Sequence, residues 1–214
     1  MKGTRRGGPR AGGATGATRD AIFGAAADLF SRRGFDGVTV DEIAKAAGVN
    51  RAMLYYHFTD KLTLYRDVVL TLLTGLAGRA NAIAAEPISP EEKLQRFIGG
   101  FVTVATAHPY LPPLMLREIA EGALHFDLEI LTRMRSIFSA FAQMLTEGQQ
   151  VGAFRQVNPV LAYMSVLGPL LLNAARERAA QQPGRGQLPM FVQVPHDELA
   201  AHMQQAAVRM LKRD

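Results

Sequence analysis

The chain has 214 residues, 48% of them hydrophobic, 20% charged and 7% aromatic, with 11 prolines. That balance suits a helical globular protein, either one large domain or a small one joined to a larger, and argues against extended disorder. There is no cysteine, which excludes disulfides and thiolate chemistry and is compatible with a reducing cytoplasm.

The net charge of +5 is unevenly placed: residues 1–66 carry 11 Lys/Arg against 6 Asp/Glu, and residues 67–214 carry 13 of each. A basic segment on a neutral body is the electrostatic footprint of a nucleic-acid-binding domain. A basic solubility tail is the alternative, because Lys2, Arg5, Arg6 and Arg10 lie near the start. No apolar run follows those basic residues, so a secretory signal is not expected. The apolar stretch Val160–Ala175, interrupted by Pro169 and Asn173, is too short for a membrane span. A cytoplasmic protein with no membrane partner is the expectation.

Residues 1–17, glycine-rich and basic without acids, are expected to be a disordered arm, either one that follows DNA phosphates or a loose terminus. Thr18 or Thr15 caps a first helix to about Arg33, with Ile22, Ala25, Ala26, Leu29 and Phe30 as its buried stripe and Gly34 at its end. Thr39 and Glu42 form a T-x-x-E capping box at the start of a second, short helix. Gly48 supplies its left-handed C-cap, and Asn50 caps a third helix from about Arg51 to Phe58. In that helix Leu54 and Phe58, four apart, face inward. Arg51, Ala52, Met53, Tyr55, Tyr56 and His57 lie on the flanks and outer surface. Two short helices around a glycine turn are a helix-turn-helix, whose second helix enters the DNA major groove. Arg51 then suits a bidentate contact to guanine, and Ala52 or Met53 a thymine methyl, with Tyr56 on the same base-facing surface.

Thr59 or Asp60 caps a long helix from Lys61 to about Ala85, apolar on more than one face. Ser89-Pro90-Glu91-Glu92 reads as another capping box, starting a helix to about Ala107. A shorter helix follows from Leu111 to about Gly122, then long ones from Asp127 to about Val151 and from Asn158-Pro159 to about Ala180. Pro169 inside the last should kink or break it. Gln181–Pro195 is a turn-rich loop with an apolar tip at Met190, Phe191 and Val192, and a final amphipathic helix spans about Asp197–Lys212. The fold class is all-α: a three-helix DNA-binding domain over 18–66 and a larger helical domain over 67–214, joined by the long helix.

The run G-V-N-R-A-M-L-Y-Y-H-F-T-D-K, preceded by F-D-G-V-T-V-D-E-I-A, resembles the N-terminal domain of the tetracycline-repressor (TetR/AcrR) family over roughly residues 15–66. The resemblance implies that Tyr55, His57 and Lys61 hold the phosphate backbone, with the Thr39 hydroxyl able to join them. It implies a homodimer paired through Asp127–Val151 and Pro159–Ala180, bound to double-stranded operator DNA of near-palindromic sequence. It also implies a pocket for a small apolar or amphipathic effector. Carried onto this chain, the pocket is lined by Phe97, Phe101, Val104, Met115, Met134, Phe138 and Met164, with His108, Arg117 or Glu118 as polar anchors.

An enzyme is not expected. G-x-S-x-G, P-loop and post-strand G-x-G-x-x-G motifs are absent. The histidines are dispersed with no H-E-x-x-H, so neither cofactor nor metal is expected, although a site among His108, His125 and nearby carboxylates stays open. A nonspecific or architectural DNA-binding protein is the alternative reading.

Overall fold

The computed structural model describes residues 11–180 and 194–213, and among these the fold is all-helical apart from one isolated bridge between Phe154 and Lys212. The helices are α1 (Ala11–Arg33), α2 (Val40–Ala46), α3 (Arg51–His57), α4 (Lys61–Ala85), α5 (Pro90–Ala107), α6 (Leu111–Ala120), α7 (Leu128–Gln150), α8 (Pro159–Ala180) and α9 (His196–Leu211). The chain forms two compact units, Met1–Val68 and Val69–Asp214, so the division falls inside α4, two residues beyond the expected boundary.

In the first unit α1 packs on α2 and α3. Ile22, Ala26, Phe30, Ile43, Leu54 and Leu64 are fully buried, and Tyr65 stands edge-on to Phe30 and Phe35 at 5.0 and 5.3 Å. α1 begins at Ala11, seven residues before the expected Thr18, so residues 11–17 of the expected arm are helical. Once a helix is nucleated, each added residue gains a hydrogen bond, which lets it extend into weak helix formers. Residues 1–10 of the arm lie outside the described residues.

In the second unit α5 packs on α7, α8 and α9, and α6 and α7 both pack on α8. Lys93, only 4% exposed, donates to Glu147 Oε2 at 2.7 Å and to the Ala84 carbonyl at 3.0 Å, tying α4, α5 and α7 together. At Ser89 only half of the expected capping box forms. Ser89 accepts from the Glu92 amide at 3.2 Å, but the Glu92 carboxylate accepts from Arg96 at 2.7 Å instead of reaching back. α8 runs as one helix through Pro169, so of the expected kink or break the break does not occur. The expected loop tip at Met190, Phe191 and Val192 lies outside the described residues.

Among the described helices α4 is the one long and apolar enough to cross a bilayer, rather than the Val160–Ala175 stretch; half of its most apolar window is buried inside the protein.

Candidate functional site

The first candidate site is the outer face of α3. Its placement follows from local signals. Thr39 accepts from the Glu42 amide at 3.3 Å while Glu42 Oε2 accepts from the Thr39 amide at 2.8 Å, so the capping box closes. At the other end of α2, Gly48 adopts φ +69°. The Gly48 amide donates to the Lys45 carbonyl at 3.2 Å and the Val49 amide to the Ala44 carbonyl at 2.9 Å. That pair of bonds is a Schellman turn, which uses the otherwise unpaired last carbonyls of α2 and redirects the chain into α3. Asn50 then caps α3 by accepting from the Met53 amide at 2.8 Å.

The result is a seven-residue helix anchored by buried Leu54 and Phe58, with Arg51, Ala52, Met53, Tyr55 and Tyr56 exposed. Tyr56 is 75% exposed, and Met53 and Tyr55 are each 41% exposed. Arg51 donates to Asp41 and to the Tyr55 hydroxyl, both at 3.4 Å, and lies 5.5 Å over the Tyr55 ring. Arg51 and Asp41 side chains are 60% and 68% exposed, so their ion pair is weak and easily exchanged for another anion.

The four residues expected to hold phosphates are differently placed. Tyr55 is exposed beside Arg51. His57 is half-buried, and its enclosed Nε2 has no hydrogen-bond partner among the described residues, so a phosphate must meet Nδ1 or a turned ring. Lys61 donates to the carbonyls of Phe35 and Val38, both at 3.0 Å, with its ammonium 4.0 Å from the Phe35 ring centroid. Two of its three donors thus tie the start of α4 to the α1–α2 connection. The exposed Thr39 hydroxyl serves the cap, donating to Glu42 Oε2 at 2.9 Å.

The second candidate site is a partly open cavity of about 400 Å³ between α4, α5, α6, α7 and α8. It brings together Phe97, Phe101, Met115, Met134, Phe138 and Met164, six of the residues expected to line an effector pocket. The other four do not line it. Val104 is a half-buried residue whose carbonyl accepts the His108 amide at 2.9 Å, closing the end of α5. His108 Nδ1 lies 3.2 Å from the Tyr110 hydroxyl. Arg117 pairs with Glu121 at 3.8 Å. Glu118, fully buried, spends its carboxylate on His125, with Oε1 2.8 Å from Nδ1 and Oε2 accepting the His125 amide at 3.3 Å.

Glu118, Glu121 and His125 do gather with ligand atoms within 4.8 Å of one another. The Glu118–His125 contact within that group has the spacing of an N–H···O hydrogen bond. The polar cavity residues missed in the sequence are Arg79 on α4, Arg135 on α7 and Tyr163 on α8. The available signal was a lone arginine in the apolar LTGLAGRANAIAA run.

The face expected to pair two protomers also divides differently. On α8, Ala162, Leu170 and Leu171 are buried within the protomer, and Leu167 lines the cavity. Leu161, Met164 and Leu172 are 67%, 57% and 65% exposed, and the exposed Ser165 shares their side of the helix with Gly168, beside which no atom lies within 4 Å of an added Cβ. The exposed stripe thus runs Leu161, Ser165 and Leu172, at helical spacing, while Gly168 is half-buried and lines the cavity with Met164.

The sequence profile of the bacterial regulatory proteins of the tetR family matches residues 22–68, and that of a tetracyclin repressor-like C-terminal domain matches residues 87–177. Over 51 residues the chain is 45% identical to the biofilm operon icaADBC HTH-type negative transcriptional regulator IcaR of Staphylococcus aureus, covering 24% of this chain and 27% of that one. It thus spans about a quarter of the length of these staphylococcal relatives. It is 30% identical over 141 residues to the HTH-type transcriptional repressor KstR2 of Mycolicibacterium smegmatis, covering 64% of this chain and 67% of that one. The solved structure of the ketosteroid transcriptional regulator KstR2 of Mycobacterium tuberculosis has the same fold, with a TM-score of 0.75 at 20% identity over 92% of this chain and 95% of that one. With both domain profiles matched in order, and a repressor aligned over two thirds of its length, the chain belongs to the TetR family of bacterial regulatory proteins.

Proposed function

We propose that the protein is a homodimeric transcriptional repressor that binds a near-palindromic operator and is released by a small apolar or amphipathic molecule. Two copies of α3 enter successive major grooves about 34–36 Å apart. Arg51, Ala52, Met53 and Tyr56 meet base edges, while Tyr55, His57, Thr39 and the third donor of Lys61 meet phosphates. The cytoplasm is where such a protein meets its DNA.

The observation that carries this reading is the pairing, on one chain, of a capped and solvent-facing reading helix with a separate apolar cavity of about 400 Å³. Cavities of that size and lining bind small molecules. The exposed Leu161–Leu172 stripe on α8 supports pairing with a second copy. α4 has residues in both units and offers a covalent route for coupling. A ligand that prefers the state with wrongly spaced reading heads lowers operator affinity by its differential binding, typically ~1–3 kcal/mol or roughly 5–150-fold.

The test is selection of bound duplexes from a random pool, with the mass of the complex read by light scattering. A palindromic motif bound by a dimer is the expected result. A monomer, or binding no tighter than to scrambled competitor, overturns the reading.

A further inference from the structure

The lining of the α4–α8 cavity contains two charged side chains, Arg79 and Arg135, and no acidic one. Three other arginines on α5, α6 and α7 are matched to glutamates: Arg96 to Glu86 and Glu92, Arg117 to Glu121, and Arg133 to Glu129. No acidic residue stands three or four positions from Arg79 or Arg135 in either direction. Neither guanidinium forms a hydrogen bond or ion pair among the described residues. An amide-to-hydroxyl bond of 2.9 Å from Asn81 to Ser136 fixes α4 against α7, two residues from Arg79 and one from Arg135.

Arg79 is also seated deliberately. Its Cδ lies 3.2 Å from where a Cβ on Gly100 would stand, so the bare glycine lets the arginine stem lie across α5. Beyond it, Arg79 and Gly100 line a second, wetter cleft with Thr103, Thr106 and His196, where Glu86 is already paired with Arg96 and Asp197 lies among the lining without a bond to Arg79. The guanidinium therefore stands where apolar cavity meets polar cleft. Within the cavity Tyr163 packs edge-on to Phe138 and Phe141, each at 5.3 Å. Its hydroxyl makes no hydrogen bond among the described residues, and burial pushes its pKa up to about 12, which keeps it a donor.

Arg79 and Arg135 are both exposed, so they set two solvated cations at the mouth of an apolar cavity whose lining holds no acid, and their field disfavours a cationic head group and favours an anionic one there. We propose that the effector is an amphipathic anion: its apolar body fills the cavity against Phe97, Phe101 and Met134, and its oxyanion head is held at the rim by Arg79 and Arg135. This rests on the effector-release reading above and specifies the chemistry of the molecule it requires.

Four ten-carbon probes differing only in head group test it: decanoate, decyl phosphate, decanol and decylamine, each titrated calorimetrically into the full-length protein without DNA. At least one of the two anions is expected to bind about tenfold or more tighter than decanol, with decylamine weakest. Whichever anion leads identifies a carboxylate or a phosphate head. The R79Q/R135Q double variant is expected to erase the preference, and R79K/R135K to keep part of it, showing that charge rather than fold was lost. Equal binding of decanol, a preference for decylamine, no saturable binding of either anion, or a preference surviving in R79Q/R135Q overturns the proposal. Operator binding is measured separately. If decanol alone releases DNA, the regulator reading stands and the anionic head fails; if no duplex is bound, the regulator reading fails instead.

Discussion

The ring of Phe154 lies directly on the bare α-carbon of Gly148: a Cβ added there would stand 2.1 Å from Phe154 Cδ2. Gly148 sits in the last turns of α7, and its carbonyl accepts the Phe154 amide at 3.0 Å, so the chain folds back tightly onto the helix it has just left. The segment after Phe154 is stitched to the end of α9, with the Arg155 amide donating to the Leu211 carbonyl at 2.8 Å. A methyl group at Gly148 must move a buried aromatic ring held by that stitching. Gly148→Ala is therefore expected to destabilise by roughly 1–3 kcal/mol, as overpacking does, despite the better helix propensity of alanine. Thermal unfolding reads this as a lower Tm; an unchanged or raised Tm contradicts the packing described.

Arg51→Ala and Lys61→Ala are expected to fail in different ways. Loss of Arg51 relaxes preference at one operator position by about 1–3 kcal/mol and spares the rest of the site. Loss of Lys61 weakens every duplex alike, and also lowers Tm because the Phe35 and Val38 carbonyls lose their donor. Competition binding against single-base operator variants separates the two; a sequence-selective defect from Lys61→Ala contradicts its assigned role.

The arm has a measurable signature in salt. Four of the 11 basic residues in 1–66 are Lys2, Arg5, Arg6 and Arg10, with no acid among the first ten residues. Without them the reading domain is close to neutral. Each cation that neutralises a phosphate contributes about 0.9 to the slope of log affinity against log salt. Deleting residues 2–10 is expected to flatten that slope by roughly 3–4 per protomer and leave the preferred sequence unchanged. An unaltered slope identifies the arm as a passive terminus.

Glu42 gives the helix-turn-helix an acid-sensitive joint. Hydrogen bonds from Arg33, first, and then from the Thr39 amide and hydroxyl hold its pKa down to about 2, from an ordinary value of 4.5. A depressed folded-state pKa means the stabilisation is complete above the ordinary value and is lost as pH falls towards about 2. The stability gap between the native protein and Glu42→Gln is expected to be constant at neutral pH and to close on acidification through that window. Denaturant unfolding at a series of pH values measures it, and a gap that does not change with pH removes Glu42 from the joint.

How much of this was legible beforehand follows from the range of the interactions. Helix starts at Thr39, Asn50, Ser89, Asp127 and Asn158, and the turn at Gly48, were readable because a cap joins residues two to four apart; of Thr59 and Asp60, both readable as caps, Asp60 takes the Thr63 amide at 2.7 Å. Backbone chemistry alone decides such contacts, wherever the helix is later packed. The same signals misled at Ser89, where Arg96 took the Glu92 carboxylate away from its cap.

Only the tertiary structure decided which side of each apolar helix faces what. Phe101 lines the cavity and Val104, less than a turn further on, does not. Leu171 is buried while Leu172 is 65% exposed. Glu118 joins His125 across a turn instead of lining the cavity. Successive residues on a helix point about 100° apart, so the rotational setting of α4 to α8 against one another assigns each side chain to core, cavity or surface. That setting arises from packing between segments distant in sequence. It is why the reading helix declared itself in the residues of the chain, while Arg79, visible there only as a lone arginine in an apolar run, was set beside Arg135 at one cavity by the packing of the helices.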